Sequence, residues 1–172
     1  MKKGFTMIEL VFVIVILGIL AGIAIPRLAA TRDDASATKA AMEIKDVITQ
    51  VAAYYTIKGQ WATSAVTGTG TDAIIDTDGV DITTATYSST DKGLSNLSST
   101  LNTVLARTGN AADQWYKCIS IMPTNTGGSI LIGDKNATDS YCKTVVKVPA
   151  VDDWIKMGDK QGLIIGGSGI YK

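Results

Sequence analysis

The stretch FTMIELVFVIVILGILAGIAI, residues 5–25, decides how this chain is organised. Its 21 residues include a single charged side chain, that of Glu9. As an α-helix the stretch is about 31 Å long, which matches the ~30 Å hydrocarbon thickness of a bilayer. The sequence therefore predicts one membrane-spanning helix close to the N-terminus.

A secretory signal peptide is the main alternative for this segment. Lys2 and Lys3 form a basic region before the apolar run, and Gly22-Ile23-Ala24 has the small-x-small pattern of a cleavage site. However, the apolar run exceeds the ~7–15 residues of a typical signal, and a signal gains nothing from Glu9. A retained membrane span is therefore the favoured interpretation.

The basic residues leave the orientation of the span open. Lys2 and Lys3 lie on one flank and are balanced by Arg27, Arg32 and Lys39 on the other. Because the positive-inside rule counts only basic residues near the span, it favours neither direction here.

Glu9 requires a physical explanation, because a carboxylate inside a span is unfavourable. At the centre of a spanning helix it costs about 2.5–3.5 kcal/mol on insertion scales, and the cost falls toward the interface. Two explanations remain open. The side chain can extend to the lipid headgroups, or it can meet a cation when several such helices pack together in a low dielectric.

The composition bounds the rest of the molecule. The chain has 172 residues, 46% of them hydrophobic, with 16 basic and 16 acidic residues, which supports one modest core beside the apolar segment. No block of like charge indicates a nucleic-acid surface. Histidine is absent, and Gly166–Gly169 lacks the spacing of a nucleophile elbow. The sequence therefore predicts that the chain is not an enzyme.

Cys118 and Cys142 are the two cysteines of the chain. They lack the CxxC spacing and the additional ligands of a zinc site. In an exported protein they most simply form one disulfide, which would close a loop of about 25 residues and contribute roughly 3 kcal/mol. Two buried free thiols are the alternative.

The string KKGFTMIELVFVIVILGILAGIAIP, Lys2 to Pro26, resembles the N-terminal segment of the type IV pilin and type II secretion pseudopilin superfamily. The resemblance rests on a basic leader that ends in glycine, followed by Phe5, a threonine, an apolar run and Glu9. It implies that a prepilin peptidase cleaves between Gly4 and Phe5 and methylates the new N-terminus. It also implies that Glu9 pairs with the Phe5 amine of a neighbouring subunit, and that the N-terminus lies in the cytoplasm before assembly.

Asp152, Asp153 and Asp159 lie close together in the sequence and are candidate calcium ligands, because the resemblance includes pseudopilins that hold calcium in a C-terminal loop. Their spacing matches no EF-hand loop, and a solvated acidic turn explains them better. No metal or other cofactor is therefore predicted, with calcium at these three residues as the minor alternative.

Beyond the span, the helix is predicted to continue to Lys58 and to end at Gly59. Pro26 should kink or loosen it about one turn upstream, near Gly22. One face of the second half carries an apolar stripe of Met42, Ile44, Val47, Ile48, Val51, Ala52 and Tyr55. The opposite face carries Lys39, Glu43, Asp46 and Gln50. The stripe, together with Tyr54, Tyr55 and Trp61, is expected to pack on a head domain.

The remaining sequence predicts a small sheet. Residues 62–100 form a long surface connection with brief strands near Ala73–Ile75 and Val80–Thr84. A helix is predicted over Leu94–Arg107. An antiparallel meander follows, over Trp115–Met122, Ser129–Gly133 and Ser140–Val148, with an edge strand at Gly162–Ile165. The fold class is therefore α+β and pilin-like, with a long N-terminal helix, first membrane-spanning and then amphipathic, packed on a small antiparallel β-sheet head.

Four regions follow: a leader at 1–4, the span and fibre core at 5–25, the amphipathic helix at 26–58, and a head with a variable loop at 59–172. The resemblance predicts a structural subunit of a type IV pilus-like or type II secretion filament. Its partners would be the membrane, further copies or other pilins, the prepilin peptidase and an inner-membrane assembly platform. The head would be periplasmic, and the filament periplasmic or on the cell surface. A single-pass, membrane-anchored periplasmic binding protein that never polymerises is the alternative.

Overall fold

The computed structural model describes residues 4–61, 79–83, 97–107, 113–124 and 128–165. Its elements are helix α1 (Met7–Lys58), helix α2 (Ser99–Leu105), a 3₁₀ turn (Trp115–Lys117), strands β1 (Ile119–Thr124) and β2 (Ser129–Asp134), helices α3 (Ser140–Val145) and α4 (Pro149–Gly158), and strand β3 (Leu163–Ile164). The predicted strand near Ala73–Ile75 and the stretch Gly166–Gly169 lie outside these residues.

Helix α1 is a single helix of 52 residues, as the sequence predicted. It ends at Gly59, which adopts the left-handed conformation (φ 75°) and donates its N–H to the Tyr55 carbonyl at 2.7 Å. The helix continues through Gly22 and Pro26, so the proline does not terminate it. A bend at this point stays a prediction.

The second half of α1 packs on the head through a stripe of small and branched side chains. Buried there are Ala37, Ala40, Ala41, Ile44, Val47 and Val51. Trp61 continues this core, with its ring centroid 4.7 Å from that of Tyr55 and its Nε1 donating to the Thr124 carbonyl at 3.0 Å. Helix-to-head packing by the aromatic residues is therefore confirmed.

Three of the four side chains predicted for the face opposite the stripe, Lys39, Glu43 and Gln50, instead contact the head. Gln50 accepts from Ser98 Oγ at 2.8 Å and donates to Thr100 Oγ1 at 2.9 Å, and Glu43 is also engaged, as described below. Met42, predicted in the apolar stripe, is 66% exposed. The stripe was placed correctly at its centre, but the head covers the helix flank that carries Glu43 and leaves Met42 uncovered.

The sheet is antiparallel with the order β1-β2-β3. Ile121 of β1 lies opposite Ile132 of β2, and both side chains are buried. Strand β3 extends β2 only at Ser129 and Ile130, as the short edge strand that the sequence predicted. The α+β, pilin-like layout is thus confirmed.

The predicted third strand of the meander, Ser140–Val148, is wrong, because Ser140–Val145 forms α3. The side chain of Asp139 caps this helix by accepting from the Cys142 N–H at 2.8 Å. Tyr141, Cys142 and Val145 are buried, which is helical spacing and not the alternation of a strand. Helix α4 follows at once and was not predicted, although Pro149 occupies its first turn, where proline is favoured.

Other boundaries also differ from the prediction. The first strand begins at Ile119, after the 3₁₀ turn. Within the described part of the predicted helix Leu94–Arg107, α2 starts after its cap Ser98 and ends at Leu105, while residues 94–96 lie outside the described ranges. The segment Val80–Thr84 is not a strand within its described residues. Residues 79–83 form a turn that lies along β1, where the Ile82 N–H donates to the Ile121 carbonyl at 2.9 Å.

Candidate assembly site at the start of the apolar helix

The predicted cleavage position lies just outside α1. Gly4 and Phe5 are exposed and not helical, and the Phe5 side chain is 84% exposed. Thr6 has extended backbone angles (φ −78°, ψ 150°) and is the N-cap of the helix. The Gly4–Phe5 peptide bond therefore lies in an exposed, non-helical segment before the N-cap.

Glu9 lies in the first turn of α1 and forms a capping box with Thr6. Its Oε2 accepts from the Thr6 backbone N–H at 2.8 Å and from the Thr6 hydroxyl at 2.7 Å, while the Glu9 N–H donates to Thr6 Oγ1 at 3.4 Å. These bonds satisfy backbone N–H groups that a helix start leaves unpaired, and the carboxylate sits at the favourable end of the helix dipole. Within one chain, Thr6 therefore offsets part of the cost of Glu9.

The capping role of Thr6 was not predicted from the sequence. The signal for it was present, because Thr6-Met7-Ile8-Glu9 has the T-x-x-E spacing of a capping box. The box uses only Oε2 of the carboxylate. Glu9 is exposed, and its Oε1 makes no hydrogen bond to any residue that the structure describes. The carboxylate thus retains an accepting oxygen for a cation from another molecule.

No other part of the described chain packs against the apolar helix that follows Glu9. In the described part of the chain, Met7–Ile25 is the one stretch of helix long and apolar enough to cross a membrane, and none of it is buried against the head. Leu17, Ile19 and Leu20 are each more than half exposed, although they point in different directions around the helix. A helix that is apolar on all sides and uncovered needs lipid or other apolar helices around it.

A polar cluster fixes the second half of α1 to the head. Arg107 donates through Nη1 and Nη2 to the two carboxylate oxygens of Glu43, both at 2.8 Å, and Trp115 Nε1 donates to the same carboxylate at 2.9 Å. The hydrogen bonds that Arg107 donates to the Glu43 carboxylate raise the pKa of Arg107. At the edge of this cluster, Lys39 pairs with Asp113 at 3.2 Å. The cluster sets the position of the helix relative to the residues that follow α2.

The predicted disulfide is present and joins Cys118 to Cys142. It does not link two strands, since Cys118 follows the 3₁₀ turn and Cys142 lies in α3. Both residues are buried. Because α3 packs on α1, the bridge connects the start of β1 to this pair of helices.

The three candidate calcium ligands lie in α4 and just beyond its end. Asp152 pairs with Lys156 one turn later, and this hydrogen bond raises the pKa of the lysine. Asp153 is exposed, and Asp159 follows the last turn of the helix. Among the described residues, no group of three or more Asp, Glu, His or Cys side chains is arranged to hold a metal ion.

Comparison with known proteins agrees with the N-terminal site. Residues 1–25 match the family model of the prokaryotic N-terminal methylation motif. This is the prepilin-type cleavage and methylation segment of type IV pilin-like proteins, so the chain carries the N-terminal segment of that class. Together with the uncovered apolar helix, the motif indicates a membrane-anchored bacterial protein. No curated protein and no solved structure matches the chain.

Proposed function

We propose that this protein is a structural subunit of a type IV pilus-like or type II secretion filament. A prepilin peptidase cuts after Gly4 and methylates Phe5, and the processed subunits leave the inner membrane by packing their apolar helices together. The head lies in the periplasm before assembly. In the fibre, the Phe5 amine of one subunit pairs with Glu9 of its neighbour.

The geometry of Glu9 carries this proposal. The carboxylate lies at the start of an uncovered apolar helix, and its Oε1 is available to a donor from outside the chain. Cleavage at Gly4 would create an ammonium group one residue before the N-cap. An ion pair between that group and Glu9 of a neighbour is strengthened where apolar helices exclude water. A plain membrane anchor gains nothing from this combination of Gly4, Phe5 and Glu9.

Intact mass and N-terminal sequencing of the protein from its native membrane test the processing step. We expect a chain that begins at N-methyl-Phe5, and we expect Gly4→Val to retain the leader. A wild-type chain that still carries Met1 would point to a simple anchor. A chain cleaved near Ile25 would point to a secreted domain.

Two substitutions of Glu9 test the pairing step. Glu9→Val should insert into the membrane as well as wild type or better, by up to about 2–3 kcal/mol, but should not form filaments. Glu9→Gln keeps an oxygen that can accept from Thr6 and removes only the charge. We expect it to insert and to fail in assembly as well. Normal filaments in Glu9→Gln, seen by electron microscopy of sheared fractions, would show that the charge is not needed.

A further inference from the structure

We propose that a second ion pair, between Arg32 of one copy and Asp34 of its neighbour, joins adjacent copies of this chain along α1. This inference rests on the proposed function, because it requires copies that pack side by side through their N-terminal helices. The occupant of this helix surface is thus a second copy of the same chain.

The first observation is that both charges lie unpaired on the helix surface. Arg32 and Asp34 are exposed, seven and nine residues after the end of the apolar span at Ile25. Within the described residues, neither forms an ion pair, whereas the next charged residues along the helix, Lys39 and Glu43, both pair with the head.

Asp34 is also open to a partner. It lines a groove of about 630 Å³ between α1 and α3, with Lys143 and Lys147 on the α3 side. Neither lysine lies within ion-pair distance of Asp34 among the described contacts. Asp34 is therefore exposed at the edge of this groove, and its carboxylate keeps its capacity to accept hydrogen bonds from a neighbour.

The second observation concerns the positions of Glu9, Asp34 and Arg32 around the axis of α1. Asp34 follows Glu9 by 25 residues, which is within about 20° of seven full turns, so the two carboxylates share one face of α1. Arg32, two residues before Asp34, lies about 200° around the helix. The face that contacts the head, which carries Ile44 and Val51, lies between them. Asp34 and Arg32 are therefore on opposite flanks of the surface that the head leaves free.

This arrangement suits a fibre in which each subunit meets a different neighbour on each side. The flank with Glu9 and Asp34 of one copy faces the opposite flank, with Arg32, of the next copy. Such head-to-tail contacts use two different surfaces and can repeat without closing. Both carboxylates then face the same neighbour, which supplies both cations, its Phe5 amine and its Arg32.

The third observation concerns the offset between two neighbouring copies along the helix axis. Pairing of Phe5 with Glu9 shifts the neighbour by about four residues, or about 6 Å, along the helix axis. At that shift, the neighbour's copy of Arg32 is level with position 36 of the first chain, about 3 Å beyond Asp34. Side chains on a helix tilt toward its N-terminus, so the long arginine side chain extends back toward the carboxylate. The shift that forms the first ion pair thus brings the second pair within reach.

Arg27 provides a matched control. It is also an exposed arginine of α1, but it follows Glu9 by 18 residues, or five full turns, and therefore shares the face of Glu9 and Asp34. On the proposed arrangement Arg27 faces the same neighbour as Asp34 and cannot pair with it across the contact.

Charge reversal tests the pair in the full-length chain. We expect Arg32→Asp alone and Asp34→Arg alone to lose filaments, and the double variant to recover them. The double variant Arg27→Asp with Asp34→Arg should not recover them. Insertion into the membrane and cleavage at Gly4 should be unchanged in all of these variants, because the substitutions lie outside the span and the leader.

Cross-linking gives an independent readout. Two differently tagged copies, one with Arg32→Cys and the other with Asp34→Cys, should form a mixed disulfide dimer under mild oxidation in assembled material. A pair with Arg27→Cys and Asp34→Cys should not, and the native cysteines should not exchange because both are buried.

The outcomes separate this inference from the proposed function. If wild type forms filaments but the Arg32/Asp34 double reversal does not recover them and no mixed dimer forms, the second ion pair is wrong and the filament function stands. If wild type is not cleaved and forms no filaments, both proposals fail. Recovery together with the mixed dimer supports the pair.

Discussion

At the scale of single residues, Glu43 shows how one carboxylate can organise a helix-to-head contact. It accepts three hydrogen bonds, two from Arg107 and one from Trp115, and its side chain is only 16% exposed. The charge of Glu43 is tolerated in this partly buried position because its carboxylate oxygens accept these hydrogen bonds. Loss of one partner would leave the others partly buried and unpaired.

Glu43→Ala should therefore lower the free energy of unfolding by about 2 kcal/mol, since Trp115 Nε1 would lose its acceptor and Arg107 would keep only the Asp113 carbonyl. Urea unfolding of the full chain in detergent micelles, followed by tryptophan fluorescence, measures this. Asp46→Ala is the matched control, because Asp46 is exposed on the same helix and forms no ion pair among the described residues. Equal stability of the two variants would contradict the anchoring role of Glu43.

Ionisation of Tyr141 should make the stability of the head depend on pH in the alkaline range. Burial raises the pKa of its phenol, with further contributions from Asp113 and Glu43. Because the raised pKa belongs to the folded state, the associated stability is fully present below about pH 10, the value for an unfolded tyrosine, and is lost as the pH rises above it. Stability should fall less steeply between pH 10 and 11.5 in Tyr141→Phe than in wild type. If stability falls equally steeply with pH in both proteins, the pKa of Tyr141 does not differ between the folded and unfolded states.

At the scale of elements, the absence of a side chain at Gly158 allows the end of α4 to lie close to the sheet. A Cβ built on Gly158 would lie 2.1 Å from the carbonyl oxygen of Ile132 in β2, which is a backbone atom that cannot move aside alone. The helix end therefore approaches the strand more closely than any side chain allows. The chain then turns at Gly162 (φ 73°) into β3.

Gly158→Ala should destabilise the head by about 1–3 kcal/mol through overpacking against β2. Thermal unfolding of the full chain, monitored by near-UV circular dichroism, reports the change. Gly18→Ala serves as the control, because it also places a methyl group in a helix but has nothing within 4 Å. If both variants unfold at the wild-type temperature, the close contact between α4 and β2 is wrong.

At the scale of the whole molecule, α1 belongs to two environments. Its first half is apolar and uncovered, while its second half is part of the core of the head. Among the residues that the structure describes, the elements of the head other than α1 are short, and the Cys118–Cys142 bridge connects the start of β1 to α3. The stability of the head therefore depends on that bridge as well as on apolar burial.

Replacement of both Cys118 and Cys142 by alanine should lower the free energy of unfolding by about 3 kcal/mol, because the bridge joins two residues that are 24 positions apart in the sequence. Urea unfolding of the full chain in micelles, with and without reductant, measures the effect. Reductant should act on wild type only after unfolding, since both cysteines are buried. A double variant as stable as wild type would show that apolar packing alone maintains the head.

The sequence alone determined the features that depend on local pattern. A run of apolar residues of membrane length, the spacing of Gly4, Phe5 and Glu9, and the glycine that ends α1 can be recognised without any long-range contact. The short strand β2 and the edge strand β3 were predicted for the same reason, because turn residues delimit them.

Only the tertiary structure decided the role of residues whose local pattern is ambiguous. Ser140–Val148 is rich in valine and was predicted as a strand, yet its first residues are helical because Asp139 caps them and α1 offers a surface for Tyr141 and Val145. Glu43 has the spacing of a solvent-facing residue, and its burial depends on Arg107, which lies 64 residues away. Such outcomes depend on contacts between distant segments, whose energies exceed the weak local preferences of each segment.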